Sequence, residues 1–201
     1  HKYADTVRPA LQTIGLSPDA RLTAGAYMMV FKSELMFFAD PVINIDPSAQ
    51  ELAEIALCTA ETARSFDVEP RVAMLSFSNF GSSRHPQADK VRQATKIVQQ
   101  RAPDLVVEGE MQADLALTPS MLEEAYPFAE LKGRANVLVF PDLSSANVAY
   151  KLTQCLAGAE AVGPILMGFD KPVHLMPSNS TVEQIVQLTA VAVVDAQQSS
   201  D

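Results

Sequence analysis

The stretch RVAMLSFSNFGSSRHPQADKVRQATKIVQQRAPDLVVEGE, residues 71–110, contains two kinds of periodicity. RVAMLSF (71–77) is a short apolar run that predicts a buried strand, and LVVEGE (105–110) predicts another. Between them, DKVRQATKIVQQRA (89–102) has apolar residues at helical spacing. Strands of this kind that alternate with helices indicate a mostly parallel sheet covered on both faces. The stretch therefore predicts an α/β fold.

The rest of the chain continues the alternation. The segments GAYMMVF (25–31) and LMFFAD (35–40) predict two strands joined by a tight turn. Asp46 is predicted as the N-cap of a long helix, with Pro47 at its first position. Further strands are predicted at residues 136–140 and 159–164, and further helices at 144–158 and 181–197.

Composition excludes several classes of protein. The chain has 201 residues, of which 48% are hydrophobic, so it can bury a large core. A formal net charge of −9 without a basic run argues against a nucleic-acid partner, and no apolar stretch is long enough to span a bilayer. We expect a cytoplasmic protein. The two cysteines, Cys58 and Cys155, lie in apolar helical contexts typical of packing rather than of chemistry.

Ligands of parallel sheets bind beyond the carboxyl ends of the strands, so the segments that follow strands are read as one surface. These segments are SNFGSS after residue 77, EGEMQAD after 107, PDLSSAN after 140 and GPILMG after 163. The first of them can offer hydroxyl groups and backbone N–H groups to a phosphate or to an amide-rich ligand. Its candidate binding residues are Ser76, Ser78, Asn79, Gly81, Ser82 and Ser83. Hydroxyl-rich segments are also ordinary in turns, so both interpretations stay open.

The residues give little sign of catalytic machinery. His85 and His174 are not at metal-ligand spacing from a cysteine or carboxylate, and we expect turn or loop roles for them. Glu108 and Glu110 end a strand and could act as a base, although a solvated strand end explains them equally well. Composition and spacing alone therefore predict an α/β binding domain.

Ordered motifs along the chain resemble the phosphate acetyl/butyryltransferase family. They are FFADPVINIDPSAQELAEIALCTAETARSF, RVAMLSFSNFGSS, KVRQAT, ANVLVFPDLSSANVAYKL and GPILMGFDKPVH. SFSNFGS, HLMPSNSTVEQI and VAVVDAQ further resemble the C-terminal domain of hybrid, NADP-dependent malic enzymes, in which a malic enzyme is fused to a phosphotransacetylase-like domain.

The resemblance implies a three-layer α/β/α fold of the isocitrate/isopropylmalate-dehydrogenase type, with the ligand between two domains. It implies that residues 1–14 form a connecting helix and that 15–172 form the second domain. Residues 173–201 would then form a C-terminal helix that returns toward a first domain absent from this chain.

The resemblance also implies lost catalysis. Active phosphotransacetylases carry a Ser-Arg-Gly after the KPV motif, in which the arginine contacts phosphate, and an aspartate that deprotonates the CoA thiol. Ser178 and Gln184 stand at the positions of that arginine and that aspartate. Loss of a positioned base alone typically costs ~10² to 10⁴ in rate. We therefore expect no useful acetyl transfer and no catalytic or metal-binding residue.

The function implied is a non-catalytic regulatory domain that binds acetyl-CoA as an allosteric effector of a malic enzyme, and that contributes to a homo-oligomer. The predicted acetyl-CoA contacts are Ser76, Ser78, Asn79, Gly81, Ser82, Ser83, Arg84, Ser178, Asn179 and Gln184, with Arg84 facing a CoA phosphate. The fragment itself needs no cofactor, whereas NADP and a divalent metal, Mg or Mn, would belong to the parent chain. Two alternatives remain: an active phosphate acetyltransferase, with Glu108 as one possible base, and a purely structural oligomerisation domain that uses GAYMMVF and SELMFF as an interface.

Overall fold

The computed structural model describes residues 3–18, 20–176 and 180–198. Seven helices occur in these residues: α1 (Tyr3–Thr13), α2 (Ala49–Ser65), α3 (Pro86–Arg101), α4 (Ala113–Leu117), α5 (Pro119–Ala125), α6 (Leu143–Ala157) and α7 (Val182–Gln198). The strands are β1 (Ala24–Val30), β2 (Leu35–Ala39), β3 (Arg71–Leu75), β4 (Val106–Met111), β5 (Val137–Val139) and β6 (Glu160–Met167).

The six strands form one sheet in the order β4-β3-β5-β2-β1-β6. Strands β4, β3, β5 and β2 run parallel to one another, whereas β1 is antiparallel to both β2 and β6. The reversal at β1 follows from the short turn between β1 and β2, which is long enough only for a hairpin. The predicted mostly parallel α/β fold is confirmed.

Helices cover both faces of the sheet, as predicted. On one face, residues of α2 and α3 such as Leu52 and Val91 form a core with Phe37 and Val72. On the other face, α4, α5 and α6 contribute residues that pack with Phe38 and Leu138. Met29 and Phe37 are completely buried, so GAYMMVF and SELMFF belong to the core rather than to an interface.

The start of α2 differs from the prediction. Ser48, not Asp46, is the N-cap: its hydroxyl accepts the N–H of Glu51, whose carboxylate accepts the N–H of Ser48. This reciprocal pair is a capping box, and it defines the helix start more strongly than an isolated acidic residue upstream. Asp46 instead forms an ion pair with Lys90 of α3.

Two further segments differ from the sequence-based prediction. Helices α4 and α5 lie in residues 112–135, for which no element was predicted. Strand β6 extends to Met167, so most of GPILMG lies inside the strand rather than after it. The predicted N-terminal helix is present as α1, while the division of the chain at residues 14 and 172 stays a prediction. Within the described ranges, no helix has the length and apolar character needed to cross a membrane.

Candidate functional site

The carboxyl ends of the parallel strands bring four loops to one edge of the sheet. The loops cover residues 40–47 after β2, 76–85 after β3, 110–112 at the end of β4 and 140–142 after β5. Lys90 connects two of them, because its Nζ donates to Asp46 Oδ1 (2.8 Å) and to the carbonyl oxygen of Pro141 (3.0 Å). This edge is where ligands of parallel α/β sheets bind.

Residues 76–85, here called the serine loop, fold around the hydroxyl of Ser78. Ser78 is only 1% exposed, and its Oγ donates to Glu110 Oε1 (2.8 Å) and accepts the N–H of Ser83 (3.0 Å). The same oxygen lies 3.1 Å from Ser82 Oγ. The Ser78 hydroxyl therefore stabilises the loop. Because this hydroxyl is buried, it is not available for the predicted contact with a ligand in this conformation.

Every backbone N–H from residue 78 to residue 83 has a partner inside the protein. The acceptors are, in chain order, Ser76 Oγ, Ser82 Oγ, the carbonyl oxygen of Glu110, Glu110 Oε1, the carbonyl oxygen of Asn79 and Ser78 Oγ. Backbone N–H groups can bind an anion only when they have no hydrogen-bond partner inside the protein. In this conformation a ligand would therefore meet the side chains of the serine loop rather than its amides.

Glu110 is the charged centre of this arrangement. Its side chain is completely buried, and Arg92 of α3 donates from Nε to Oε2 (2.8 Å) and from Nη2 to Oε1 (3.1 Å). Burial raises the pKa of Glu110, but the hydrogen bonds from Arg92, the N–H of Gly81 and the hydroxyl of Ser78 outweigh it and lower the pKa below its usual value. Glu110 is thus held as a carboxylate whose lone pairs are engaged, which is unlike a general base.

Glu108 lies on the other side of the sheet. Its Oε2 accepts the N–H of Glu130 (2.9 Å), and burial raises its pKa above the usual value. Residues i and i+2 of a regular strand share a face, but the pairing of β3 with β4 shifts register between Met74 and Leu75. Because of this shift, Glu108 does not reach the serine loop, and its possible role as base there lacks geometric support.

Three members of the predicted set are exposed in the serine loop, Gly81, Ser82 and Arg84, whereas Ser76 and Ser83 are half-buried. Asn79 is half-buried and joins the loop to the end of β4, because its Nδ2 donates to Gln112 Oε1 (3.0 Å) and its Oδ1 accepts the N–H of Gln112 (2.6 Å). Arg84 makes no ion pair within the described part of the chain, so its guanidinium is available to an anion.

The remaining predicted residues lie in the C-terminal segment. Ser178 and Asn179 lie outside the described residues. Gln184 closes a capping box at the start of α7, where its Oε1 accepts the N–H of Thr181 (3.0 Å) and its N–H reaches Thr181 Oγ1 (3.3 Å). His85 caps α3 by accepting the N–H of Gln87 (3.3 Å), as its predicted turn role requires.

Sequence reasoning missed Arg92, Gln112 and Asp40. Asp40, buried at the end of β2, accepts the N–H groups of Val42 (2.8 Å) and Ile43 (3.0 Å). The sequence signal for Arg92 is its helical spacing, because it stands four residues after Ala88 and three before Thr95, both of which are buried. Among the residues that the structure describes, no cluster of His, Cys, Asp and Glu could hold a metal ion.

Both the sequence and the fold of the chain are similar to those of known proteins. The family model "Phosphate acetyl/butaryl transferase" matches residues 1–193. The chain is 46% identical over 196 residues to a phosphate acetyltransferase of Bacillus subtilis and 42% identical over 204 residues to one of Clostridium acetobutylicum, covering 98% of this chain and 61% of each relative. A phosphotransacetylase structure from Streptococcus pyogenes is 48% identical with a TM-score of 0.94, covering 98% of this chain and 61% of that one. The EutD phosphotransacetylase from Staphylococcus aureus is 41% identical with a TM-score of 0.90, covering 96% and 59%. The chain thus spans less than two thirds of these relatives.

The comparisons correct the expected function. The expectation of a non-catalytic regulatory domain of an NADP-dependent malic enzyme is wrong, because these relatives are named phosphate acetyltransferases and show no malic enzyme fusion. The associated oxidoreductase and NADP assignments are wrong for the same reason. The resemblance to malic enzymes rested on three short motifs, SFSNFGS, HLMPSNSTVEQI and VAVVDAQ, whereas the identity to phosphate acetyltransferases extends over 98% of the chain.

Proposed function

Because the chain belongs to the phosphate acetyl/butaryl transferase family, we propose that it forms part of a phosphate acetyltransferase, which moves an acetyl group between CoA and inorganic phosphate. The observation that carries the proposal is 46% identity over 98% of the chain to the Bacillus subtilis phosphate acetyltransferase. Identity of this extent covers the serine loop, the end of β4 and the other loops of the sheet edge together.

In the proposed reaction, a phosphate oxygen attacks the carbonyl carbon of the acetyl thioester. The new C–O bond gives acetyl phosphate, and the C–S bond breaks so that CoA leaves as a thiolate, which then takes up a proton. Both substrates are anions. The exposed guanidinium of Arg84 is therefore suited to a phosphate of CoA or to inorganic phosphate, and the hydroxyls of Ser82 and Ser83 can donate beside it.

Acetyl-CoA is accordingly proposed as a substrate rather than as an effector. Ser178, Asn179 and Gln184 stay proposed contacts from the C-terminal segment. Since Ser178 and Gln184 replace an arginine and an aspartate of the family pattern, we expect a rate below that of the relatives by a factor of at least ~10² to 10⁴. Restoring both groups with Ser178→Arg and Gln184→Asp should raise kcat.

The test is a transfer assay on the full-length protein that carries this chain. CoA release from acetyl-CoA is followed with a thiol reagent, with and without inorganic phosphate, and acetyl phosphate is identified by ³¹P NMR. The proposal expects phosphate-dependent release with acetyl phosphate as product. Release that is equal without phosphate would indicate a thioesterase, and no release above the buffer rate, even in the Ser178→Arg, Gln184→Asp variant, would reject the proposal.

Self-association through this chain is a second proposal, favoured by the outer face of α6. Val148, Leu152 and Leu156 repeat at every fourth position and are 56%, 52% and 83% exposed, while Lys151 is the one charged residue of the helix. A solvent-facing helix is normally rich in charge. A second copy of the chain would cover this stripe, so Leu152→Glu should lower the particle mass measured by light scattering. An unchanged mass would reject this interface.

A further inference from the structure

The ion pair between Arg92 and Glu110 is hydrogen-bonded to the serine loop. We propose that Arg92 and Glu110 are positioning residues for the transfer reaction, which act by fixing the serine loop and not by touching substrate. This inference rests on the proposed function. Arg92 belongs to α3 and Glu110 to β4, and both residues bond to the loop as well as to each other.

The pair grips the loop at three places. Glu110 Oε1 accepts the hydroxyl of Ser78 (2.8 Å) and the N–H of Gly81 (2.8 Å), while Arg92 Nη2 donates to the carbonyl oxygen of Ser83 (3.3 Å). Ser82 and Arg84, the exposed side chains proposed to contact substrate, lie directly beside these attachment points. Their orientation toward a ligand therefore depends on this charge pair, of which the Glu110 side chain is completely buried.

The geometry requires a guanidinium. Arg92 presents Nε and Nη2 to the two oxygens of Glu110 and still reaches the backbone of the loop, and it donates from Nη1 to Asp89 (2.9 Å). A lysine keeps the charge but donates from a single nitrogen, so its three N–H groups cannot span both carboxylate oxygens and the backbone of the loop as the guanidinium does. Small displacements of binding groups can cost about a hundredfold in rate, because transfer requires close alignment of the reacting atoms.

The chain contains a matched pair that lacks any link to the loop. Arg101, at the end of the same helix α3, forms a salt bridge and two hydrogen bonds with Glu54 of α2, which is 5% exposed. Arg92→Lys and Arg101→Lys therefore each weaken an ion pair between an arginine of α3 and a buried glutamate. Only the Arg92 pair lies at the sheet edge, so a difference between the two variants measures positioning rather than general stability.

The experiment compares Arg92→Lys and Arg101→Lys in the full-length protein. For each variant, kcat, the KM values for acetyl-CoA and phosphate, the thermal midpoint and amide hydrogen exchange of the segment 76–85 are measured. Arg92→Lys should lower kcat/KM at least tenfold and accelerate exchange in this segment at least tenfold, with a thermal shift close to that of Arg101→Lys. Arg101→Lys should leave kcat/KM within about twofold of the parent protein.

Two results would overturn the inference. Either Arg92→Lys leaves kcat/KM and exchange in the segment 76–85 unchanged, or both lysine variants lose activity in proportion to their thermal midpoints, as a merely structural role predicts. A parent protein without phosphate-dependent CoA release would reject the proposed function by itself. A positioning role in that reaction would then be rejected as well. Amide hydrogen exchange of the segment 76–85 would still decide whether Arg92 and Glu110 fix the serine loop.

Discussion

Glu108 and Glu110 are separated by one residue, yet their carboxylates bond on opposite faces of the sheet. Glu108 accepts an N–H from the segment after α5, and Glu110 pairs with Arg92 of α3. The residue between them, Gly109, has a φ of +151°. A Cβ on Gly109 would lie 2.7 Å from both the Cβ and the carbonyl oxygen of Met74. Both the positive φ and the close approach to β3 therefore favour glycine at this position.

We predict that Gly109→Ala destabilises the protein by about 3 kcal/mol or more, since strain at a positive φ and a backbone clash act together. It should also move Glu110 and so disorder the serine loop. The measurement is the free energy of unfolding in urea. Gly158→Ala is the control, because Gly158 has a φ of +64° and a Cβ added there would meet nothing within 4 Å, and it should cost only about 1 kcal/mol. Equal effects would mean that the contact with Met74 is relieved easily.

The sequence predicted all six described strands because their apolar runs reflect burial on both faces, as at Val72 and Val137. It did not predict the register shift of β4. Such a shift depends on how two strands pair, and a glycine between two glutamates gives only a weak signal of it. The start of α2 was misplaced for a local reason, since the decisive hydrogen bonds join Ser48 to Glu51.

Stability at different pH should depend on Glu108. Burial raises its pKa in the folded protein, so between the usual pKa, 4.5, and the raised value the folded state binds more protons than the unfolded state. Stability due to this group therefore falls as the pH rises through that interval and stays lower above it. Glu108→Gln keeps an acceptor for the N–H of Glu130 and lacks the charge.

We therefore expect Glu108→Gln to be more stable than the parent protein at pH 7, by an amount on the order of 1 kcal/mol, and to lose this advantage toward acid pH. Thermal midpoints measured at a series of pH values check this expectation. A parallel offset at every pH would show that the carboxylate is not destabilised by burial. Glu123→Gln, an exposed change on α5, serves as the control for a lost surface charge.

The candidate site was predictable in place but not in detail. The segment SNFGSS lies at the sheet edge, as the rule for parallel sheets predicts. Which of its groups face outward depends on Glu110 and Arg92, and these two residues lie 18 positions apart in the sequence. Composition cannot distinguish a hydroxyl that holds a loop, such as that of Ser78, from an exposed one such as that of Ser82.

The capping box of α2 gives a separate prediction about stability. Ser48→Ala removes the hydroxyl that accepts the N–H of Glu51 (3.3 Å) and should cost about 1 kcal/mol in the free energy of unfolding. Ser144→Ala on the first turn of α6 is the matched control, since Ser144 is exposed and its hydroxyl has no hydrogen bond among the described residues. If both changes have the same small effect, Ser48 contributes nothing as a cap.

The two cysteines should react with alkylating reagents at very different rates. Burial, with a smaller contribution from the charge of Glu54, raises the pKa of Cys58 to about 11, whereas Cys155 is exposed on α6. At pH 8 only about one Cys58 thiol in a thousand is ionised, and the thiolate is the reactive form. We expect iodoacetamide to modify Cys155 at least about a hundredfold faster, as measured by mass spectrometry of the two peptides from the full-length protein. The difference should vanish in urea, where both thiols are solvated. Equal rates for both thiols in the folded protein would contradict the burial of Cys58.

The same labelling experiment tests whether a second copy of the chain covers α6 at the concentration used. If it does, dilution should accelerate the labelling of Cys155 and leave that of Cys58 unchanged.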